Sequence, residues 1–418
     1  MISYPSVPTS QPRPMEEEVI RTRTTELKPS PKQTKIKKNW MGTCRWTYNR
    51  CVAFWNRNGD GVQKMYNEKQ MTMHLRGIFV TKKSEYLKDF PWVFKTPQPL
   101  RDNAMREFIK AKKSKKMKFR SKKDGDCIEV NWRDFIKEEL YPATDYGSIK
   151  AFEHIDTKYI AGAVRISRNR LNEFHVHIPT KVQCEQKEFE KVIALDPGVR
   201  KFLTGYDTNK VLEFCAHEFD YLKKYLFAID RLVSKISQCK KKKKKRLLNR
   251  AKYRLIKKVK NLRIDCHGKI CKFLTNFYDV IYLPKFNVQG MLTNLNSKVA
   301  RNMATMSHYS FRERLKHKCE VTGTQLIICN ESYTSQTCTR CGHLEKNNLE
   351  TYHCKECKLT IDRDAMASRN ILLKHLRLYS FPPQGTFFEM EKCKGVLGYL
   401  GFEGSSCNLQ ITRNLPNQ

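Results

Sequence analysis

From Cys338 to Asp364 the chain reads CTRCGHLEKNNLETYHCKECKLTIDRD. Two C-x-x-C pairs lie in this segment, Cys338 with Cys341 and Cys354 with Cys357, and twelve residues separate the pairs. Each pair lets one tight turn direct two thiolates at a single ion, and two such turns complete a closed tetrahedral site for zinc. Four unrelated thiols, or redox chemistry by one pair, would not need this doubled spacing. The segment therefore predicts a structural zinc ribbon.

Acidic residues flank the ribbon at positions where strands and helices end. Asp196 closes the apolar run Val192–Leu195, which predicts a carboxylate at the rim of a sheet. Asp362 and Asp364 precede Ala365–Leu373, a predicted helix that Asp362 would cap and whose first turn would hold Asp364. A turn or a helix cap is the ordinary structural role of such residues. Together with the ribbon and a basic chain, they favour a site for two Mg2+ ions about 4 Å apart that hydrolyses a phosphodiester.

The composition indicates a polyanionic partner. The 418 residues include 80 Lys and Arg against 42 Asp and Glu, a formal net charge of +38, which is typical of proteins that bind nucleic acid. No run of about 18 uninterrupted apolar residues could span a bilayer, and Met1–Lys28 lacks the apolar stretch of a secretory signal. We therefore expect an intracellular protein whose sixteen cysteines are reduced. Cysteines outside the ribbon, such as Cys44, Cys215 and Cys319, are expected to be small buried hydrophobic side chains.

The first half of the chain predicts a tail, a helical region and a hairpin. Residues 1–35 contain many Pro, Ser and Thr with little apolar periodicity, which predicts a disordered basic tail. Apolar residues at helical spacing from Ile36 to about Lys123, interleaved with Lys and Arg, predict a basic and mostly helical region. From Ala163 to Val182 apolar and polar residues alternate on either side of Arg168–Asn172, which predicts a β-hairpin.

The second half predicts short strands separated by long helices. Val192–Leu195 and Phe202–Tyr206 predict two strands joined by an Asp-Pro-Gly turn. Helical spacing of apolar residues over Phe219–Phe277 predicts two long helices joined near Lys240–Arg246. The apolar runs Val280–Leu283 and Leu326–Cys329 predict two further buried strands. The nuclease candidates would therefore lie in a mixed α/β region.

Four segments match the motifs of a known family. They are Met41–Asn49 (MGTCRWTYN), Ile193–Gly198 (IALDPG), Tyr333–Cys338 (YTSQTC) with the ribbon that follows, and Asp362–Ile371 (DRDAMASRNI). In these segments the chain resembles the transposon-encoded TnpB nucleases, and especially their eukaryotic relatives called Fanzor. The resemblance extends from about residue 36 to about residue 375 and is most specific around the ribbon.

The resemblance implies a multidomain α+β fold. Its nuclease part would be an RNase H-like (RuvC) α/β domain over residues 191–375, with a helical insertion at 219–277 and the inserted zinc ribbon described above. A β-barrel wedge domain over residues 36–190, with a helical recognition region inserted at about 45–135, would precede it. Residues 376–418 would form a C-terminal extension.

The resemblance also implies an RNA-guided DNA endonuclease. Members of the family bind a structured guide RNA transcribed from the transposon end, pair it with one DNA strand beside a short adjacent motif, and cut both strands with Mg2+. The expected cofactors are therefore two Mg2+ ions, one structural Zn2+ and the guide RNA. The expected partners are that RNA, with one protein chain for each guide, and double-stranded DNA, but no membrane. The expected location is the nucleus, or the cytoplasm for a prokaryotic protein.

One departure from the family pattern concerns a catalytic acid. Where the family usually has a second catalytic Glu, after the strand Val280–Leu283, this chain has Lys285, and a lysine cannot ligate Mg2+. Many Fanzor proteins resemble this chain in supplying the acid shortly before the ribbon. Glu331 is the matching candidate here, and an exposed loop acid is its alternative role. The resemblance thus implies Asp196, Glu331 and Asp364 as catalytic Mg2+ ligands.

Met366 is a second departure from the family pattern, and Lys285 leaves two alternative functions open. Met366 stands where the family usually has Asn near the last aspartate, which removes a supporting hydrogen bond rather than a metal ligand. Asp362 is expected to be structural. Lys285 motivates a second functional hypothesis, a guide-dependent DNA-binding protein that has lost cleavage. A third is a transposase that joins DNA ends through the same carboxylate chemistry.

Basic and aromatic residues are candidates for nucleic-acid contacts. Lys240–Arg246 is a seven-residue cationic run, for which a solvated loop and a nuclear-import signal are alternatives. Lys110–Lys123 would suit the backbone of a guide–target heteroduplex. Trp46 and Tyr48 could stack on nucleotides or pack the helical core. The candidates are Arg45, Trp46, Tyr48, Asn49, Lys112, Lys113, Lys115, Lys116, Lys240, Lys241, Lys242 and Arg246.

Overall fold

The structure is a computed structural model, and the chain divides into two compact units. The first is Glu18–Val182, and the second continues from Gln183. The boundary predicted from the sequence lies between residues 190 and 191. The residues that the structure describes are 18–65, 67–122, 126–131, 135–136, 139–140, 151–153, 159–185, 187, 190–198, 201–208, 210–215, 218–285, 304–346, 349–375 and 397–400. Residues 1–17 of the predicted tail and most of the predicted C-terminal extension lie outside them.

The first unit combines helices with a sheet. Its elements are β1 Glu18–Leu27, α1 Pro31–Met65, α2 Glu68–Phe79, two short 3-10 helices at Tyr86–Asp89 and Pro91–Lys95, α3 Gln98–Lys113, β2 Asp126–Val130, β3 Phe135–Ile136, β4 Glu139–Leu140, β5 Val164–Arg168 and β6 Phe174–Gln183. Four strands form a sheet in the order β1-β6-β5-β2. The predicted hairpin is confirmed, because Ile166 on β5 pairs with Val176 on β6 in an antiparallel register. Closure of this sheet into a barrel stays a prediction.

Two boundaries predicted for the first unit are wrong. The predicted disordered tail contains strand β1 and the start of α1, because β-branched residues recur along Glu18–Leu27 and suit a pleated strand. The predicted helical region at about 45–135 ends too late. Strand β2 lies within it, since Ile128 and Val130 alternate with polar residues and are buried, while buried Asp126 pairs with Arg45 and Arg168.

The second unit is built on a mixed sheet. Its elements are β7 Val192–Pro197, β8 Leu203–Asp207, β9 Lys210–Phe214, α4 Glu218–Gln238, α5 Lys242–Phe277, β10 Val280–Pro284, α6 His308–Thr322, β11 Gln325–Cys329, β12 Thr351–His353, β13 Thr360–Asp362, α7 Arg363–His375 and β14 Leu397–Leu400. The strand order is β11-β10-β7-β8-β9-β14. Strands β7, β8 and β9 pair antiparallel, whereas β10 runs parallel to both β7 and β11. The predicted strands of this region are therefore confirmed.

Side-chain alternation along the central strands creates two separate cores. On β7, Ile193 and Leu195 belong to the core that contains residues of α5 and α6. Ala194 lies between them and belongs to the other core, together with Ile371 and Leu372 of α7. Successive side chains of a strand point to opposite faces, so the two helix layers cover opposite faces of this sheet. Burial of each large aliphatic side chain contributes roughly 1.5–3 kcal/mol to stability.

The two predicted long helices are confirmed, but their junction is not. Helix α5 begins at Lys242, so most of the run predicted as the connection is helical, and only Cys239–Lys241 link the helices. Lysine and arginine have high helix propensity, and here that propensity outweighs the repulsion between neighbouring positive charges. The sulfurs of Cys215 and Cys266 are in contact, but their Cα atoms are 7.8 Å apart, beyond the roughly 4.4–6.8 Å that a disulfide spans, so reduced thiols stay the expectation. None of the described helices is both long and apolar enough to cross a bilayer.

Candidate active site

The four ribbon cysteines converge on one point. The Sγ atoms of Cys338 and Cys357 are 3.6 Å apart, those of Cys341 and Cys354 are 3.5 Å apart, and all four lie within 4.8 Å of one another. A zinc ion with Zn–S bonds of about 2.3 Å would separate tetrahedral sulfurs by roughly 3.8 Å. The donor set and its spacing therefore fit a structural Zn2+.

Each cysteine pair turns back on itself through a left-handed residue. Gly342 follows the first pair with φ of 77°, and Lys358 follows the second with φ of 57°. The backbone N–H groups of Cys338 and Cys354 donate to the carbonyls of His343 and Leu359, at 2.8 and 2.9 Å. The two turns are thus equivalent knuckles, but only the first has the glycine that this conformation favours.

Asp196 lies at the end of β7, on the face of the sheet that α7 covers. It shares the strand parity of Ala194, and its backbone partner on β8 is the buried Thr204. Burial raises the pKa of Asp196 well above its usual value, and the charges of Asp364 and then Glu331 raise it further. Asp364 and Glu331 therefore each lie close enough to Asp196 for their charges to act on it.

Glu331 reaches this cluster from the edge of the sheet. It follows β11 by two residues, and Cys329 at the end of that strand belongs to the α7-side core. Burial raises the pKa of the half-buried Glu331. Lys285, in contrast, is exposed and continues the parity of Leu283, which belongs to the opposite core. Glu331 therefore lies near Asp196, whereas the alternation along β10 places Lys285 on the opposite face of the sheet.

Asp364 is held by the cap of helix α7. The Oδ1 atom of Asp362 accepts hydrogen bonds from the backbone N–H groups of Asp364 at 3.0 Å and Ala365 at 2.9 Å, as the sequence predicts. The other oxygen of Asp362 accepts from Lys201 Nζ at 3.0 Å, and Lys201 also pairs with Glu213 at 2.6 Å. Lys201 therefore connects the strands of the sheet to the cap that orients Asp364.

Helix α7 also holds the loop that carries Glu331. Asn370 is buried, and its Nδ2 donates to the carbonyl oxygens of Thr334 at 2.8 Å and Thr337 at 2.7 Å. Lys374 donates to the Ser332 carbonyl at 3.1 Å. Within the loop, Thr334 Oγ1 donates to the Glu331 carbonyl at 2.8 Å. No role for Asn370 is predicted from the sequence, although the residue lies in the segment Asp362–Ile371.

Met366 has a packing role. It is fully buried in the core of the ribbon, where it contacts the cluster formed with Tyr352 and the cysteines. A side chain in that position joins helix α7 to the ribbon through apolar contact rather than through a hydrogen bond. Met366 therefore stabilises the attachment of the ribbon to helix α7 by packing.

The three carboxylates are an oxygen-rich set of the kind that Mg2+ prefers. The described residues hold only two groups of three or more Cys, His, Asp or Glu ligands that all lie within 4.8 Å, the four cysteines and the group Glu26, Glu173 and His175. The carboxylates are spread more widely than that. Burial raises the pKa values of Asp196 and Glu331, and neighbouring negative charge adds to the shift at Asp196, which indicates a need for positive charge that Arg363 supplies only in part. Three carboxylates are donors whose chemistry fits Mg2+.

The four candidate residues of α1 serve the first unit's own packing. Tyr48 is buried, and its ring lies 3.7 Å from the guanidinium of Arg120. Asn49 exchanges two hydrogen bonds with the backbone of Arg120, at 2.8 and 2.9 Å. Trp46 stacks on Tyr86, meets Trp92 edge-on and contacts Arg50, and Arg45 pairs with Asp126. Base contacts by Tyr48 and Asn49 would require these interactions to break.

The basic candidates differ in exposure. Lys112 is half-buried with its Nζ 3.8 Å from the Trp55 ring centre, and Lys113 pairs with Glu68 at 2.7 Å. Lys113 is exposed as well, and the remaining candidates are exposed and have no ion pair within the described part of the chain: Lys115, Lys116, Lys240, Lys241, Lys242 and Arg246. Only this exposed set is available to phosphates without rearrangement.

Family models match three parts of the chain. A model described as "Cas12f1-like, TNB domain" covers residues 308–371, one described as "Probable transposase" covers residues 175–295, and one described as "Helix-turn-helix domain" covers residues 15–58. The first spans the ribbon, Glu331 and Asp364, and the second spans Asp196. The two models together thus include all three carboxylates.

Curated relatives extend the match. A "Putative transposase" of Paramecium bursaria Chlorella virus 1 is 26% identical over 86% of this chain and 87% of that protein. A TnpB-like protein of Acanthamoeba polyphaga mimivirus is 34% identical over 43% of this chain and 36% of that protein. The "Putative RNA-guided DNA endonuclease InsQ" of Escherichia coli is 24% identical over 83% of this chain and 90% of that protein. The chain thus has TnpB-like and RNA-guided endonuclease-type relatives.

A solved structure shares the fold. The chain is similar to that of a cryo-EM structure of a Cas12f1–sgRNA–target DNA complex, with a TM-score of 0.53 and 12% identity. The similarity covers 85% of this chain and 98% of that chain. It shows that the mixed α/β multidomain fold is shared with Cas12f1.

Proposed function

We propose that this protein is an RNA-guided, Mg2+-dependent DNA endonuclease of the TnpB and Fanzor type. The observation that carries the proposal is the electrostatic coupling of Asp196 to Asp364 and Glu331, which come from three separate places in the chain. The sheet order supports an RNase H-like (RuvC) assignment, since three antiparallel strands continue into two parallel ones. The relatives with RNA-guided endonuclease names support the guided reaction.

In the proposed site, Asp196, Glu331 and Asp364 hold the metal ions. Bound Mg2+ would supply the activated water and neutralise the charge that develops on the leaving oxygen of the phosphodiester. Asp362 and Lys201 fix Asp364 by hydrogen bonds at its helix cap, and Asn370 fixes the loop of Glu331. The protein therefore contributes a preorganised set of oxygens, with the ribbon joining two of its three parts.

The proposal is tested with the full-length protein purified together with its bound RNA. The RNA is sequenced, and duplex DNA that contains a matching stretch beside randomised flanks is offered with Mg2+. We expect cleavage of both strands with Mg2+, none with EDTA, and none by Asp364→Asn, which should still bind the RNA and DNA. The absence of any discrete bound RNA would contradict the guided mechanism.

Two other functions make different predictions for the same samples. A guided binding protein, the hypothesis that Lys285 motivates, would bind the matched DNA without cutting it under any divalent ion. A carboxylate transposase, which the "Probable transposase" model supports, would join DNA ends without RNA. The wild-type protein, assayed for binding, cleavage and strand transfer in parallel, separates the three.

A further inference from the structure

A helical arm carries a large part of the protein's charge. We name as the α4–α5 arm the residues Arg231–Lys258, which include the end of α4 and the first half of α5. The arm contains 14 Lys and Arg and no Asp or Glu, whereas the whole chain has a net charge of +38. More than a third of the net charge therefore lies in 28 residues. The arm therefore has no acidic residue of its own to neutralise these cations.

The arm extends beyond the core of its unit. The first buried residue of α5 is Val259, and every residue from Lys240 to Leu247 is exposed. The two helices pack against each other through half-buried residues such as Leu232 and Leu255. Most of the arm's surface is thus exposed to solvent and carries positive charge.

Four exposed cations form a stripe along α5. Lys243, Arg246, Arg250 and Arg254 follow one another at spacings of three or four residues, which places them on one side of a helix. At 1.5 Å per residue the stripe is about 16 Å long, with successive charges about 6 Å apart. Arginine forks bind phosphate oxygens with defined geometry. A stripe with this spacing can follow one backbone of a double helix.

The start of α5 is electrostatically unfavourable in the free protein. Its first turn consists of lysines and contains no acid, although cations at a helix N-terminus cost roughly 0.3–1 kcal/mol each. Like charges three or four residues apart along the helix add to this cost. Bound phosphates would reverse both effects, so the arm is suited to a polyanion.

The position of the arm indicates which polyanion it binds. Helix α5 packs on the sheet face of Ile193 and Leu195, whereas Asp196 follows the parity of Ala194 on the face of α7. The DNA strand to be cut must reach the carboxylates on that second face. The arm continues from residues of α4 and α5 that pack on the first face, so an RNA bound to it leaves the second face to the DNA.

We propose that the α4–α5 arm binds the backbone of a double-helical RNA stem, through Lys243, Arg246, Arg250 and Arg254. The inference rests on the proposed function, since it assigns the guide RNA to this surface. The recognition is through phosphates arranged as in an A-form RNA helix, whose shape differs from that of B-form DNA, and it is independent of base sequence.

The test compares RNA and DNA binding by two full-length variants. One changes the four stripe residues to Gln, which keeps helix propensity, and the matched control changes four exposed cations elsewhere in the unit, Lys272, Arg314, Lys316 and Lys346. The probes are a labelled RNA stem-loop of about 16 base pairs and a DNA hairpin of the same sequence. Affinity is measured at several salt concentrations, and circular dichroism checks that each variant is folded.

We expect the stripe variant to bind the RNA at least tenfold more weakly, with a salt slope lower by about 3. It should bind the DNA hairpin within threefold of wild type, and the control variant should bind both probes within threefold. Equal losses for RNA and DNA, or no loss for RNA, would overturn the assignment. This outcome can be distinguished from failure of the proposed function. The wild-type protein could fail to cleave DNA while the stripe still binds RNA, or it could cleave DNA although the stripe does not bind RNA.

Discussion

The cysteine site and the carboxylate site differ in how the chain assembles them. The cysteines come from Cys338 to Cys357, a single segment of 20 residues whose turns are local. The carboxylates extend from Asp196 to Asp364, and a parallel strand order and a helix must bring them together. A local site is held by its metal, whereas a site built from distant segments is held by its fold. Loss of a cysteine ligand should therefore destabilise the folded protein, whereas loss of a carboxylate ligand should stabilise the metal-free protein.

Removal of a cysteine should have the largest effect. Cys354→Ser should unfold the ribbon, since structural zinc contributes roughly 10–16 kcal/mol to such small sites. Glu331 and Asp364 would then lose the segment between them, and cleavage should fall below detection. Zinc content by mass spectrometry and protease resistance of the segment measure the change. Cys184→Ser, outside the ribbon, is the control and should leave both unchanged; normal zinc content in Cys354→Ser would contradict the ribbon.

Loss of Asn370 should have an intermediate effect that links the two sites. Asn370→Ala leaves the buried carbonyls of Thr334 and Thr337 without this donor, which should cost about 2 kcal/mol of unfolding free energy. The loop of Glu331 should also become more mobile. Denaturant unfolding and hydrogen exchange measure these changes. Lys374→Ala, which removes one exposed bond on the same helix, should cost less than about 0.5 kcal/mol, and an equal cost would argue against the role of Asn370.

Loss of a carboxylate should stabilise the metal-free protein. The folded-state pKa of Asp196 is raised above its unfolded value, so its stabilising contribution is full below the unfolded pKa and is lost as the pH rises. Asp196→Asn should therefore unfold like wild type near pH 4 and be more stable by on the order of 1 kcal/mol at pH 7. Thermal unfolding in EDTA across this range measures the difference. The exposed Asp265→Asn should show no such divergence, and a less stable Asp196→Asn at pH 7 would contradict the electrostatic account.

Glycine at the left-handed position of the second knuckle should stabilise it, as Gly342 does in the first knuckle. Lys358 has a positive φ, so Lys358→Gly should stabilise the zinc-bound ribbon by about 0.5–1 kcal/mol. Glu356→Gly, at a neighbouring exposed position outside the left-handed region, should destabilise it by a similar amount. Competition with a zinc chelator reports both. If both glycines weaken zinc retention, the two knuckles are not equivalent.

Patterns within a short segment were readable from the sequence. The C-x-x-C spacing gave the cysteine cluster, the alternation around Ile166 and Val176 gave the hairpin, and Asp362 was recognisable as a cap. Each of these depends on residues that are close in sequence. Strand β1 was missed although its residues are β-branched, because its partner β6 is about 150 residues away and Pro-rich surroundings resemble a disordered tail.

Features that depend on tertiary contacts were less predictable. The sequence offered Tyr48 and Asn49 as nucleotide contacts, and only the fold shows that Arg120 occupies both. The charged start of α5 resembled a loop because its cations are unfavourable at a helix N-terminus. The position of Glu331 near Asp196 came from family resemblance, since no local pattern distinguishes it from a loop acid. Asn370 gave no signal beyond its motif.

The central claim is that Glu331 completes the carboxylate site, and it is tested most directly by cleavage. The rate at which the RNA-bound protein cuts matched DNA is measured with Mg2+ for wild type, Glu331→Gln and the exposed control Glu356→Gln. A lost metal ligand should cost at least about 3 kcal/mol in the barrier, which is roughly a hundredfold or more in rate. We predict that loss for Glu331→Gln, with unchanged DNA binding and a control within twofold of wild type. Cleavage by Glu331→Gln within threefold of wild type would contradict the claim.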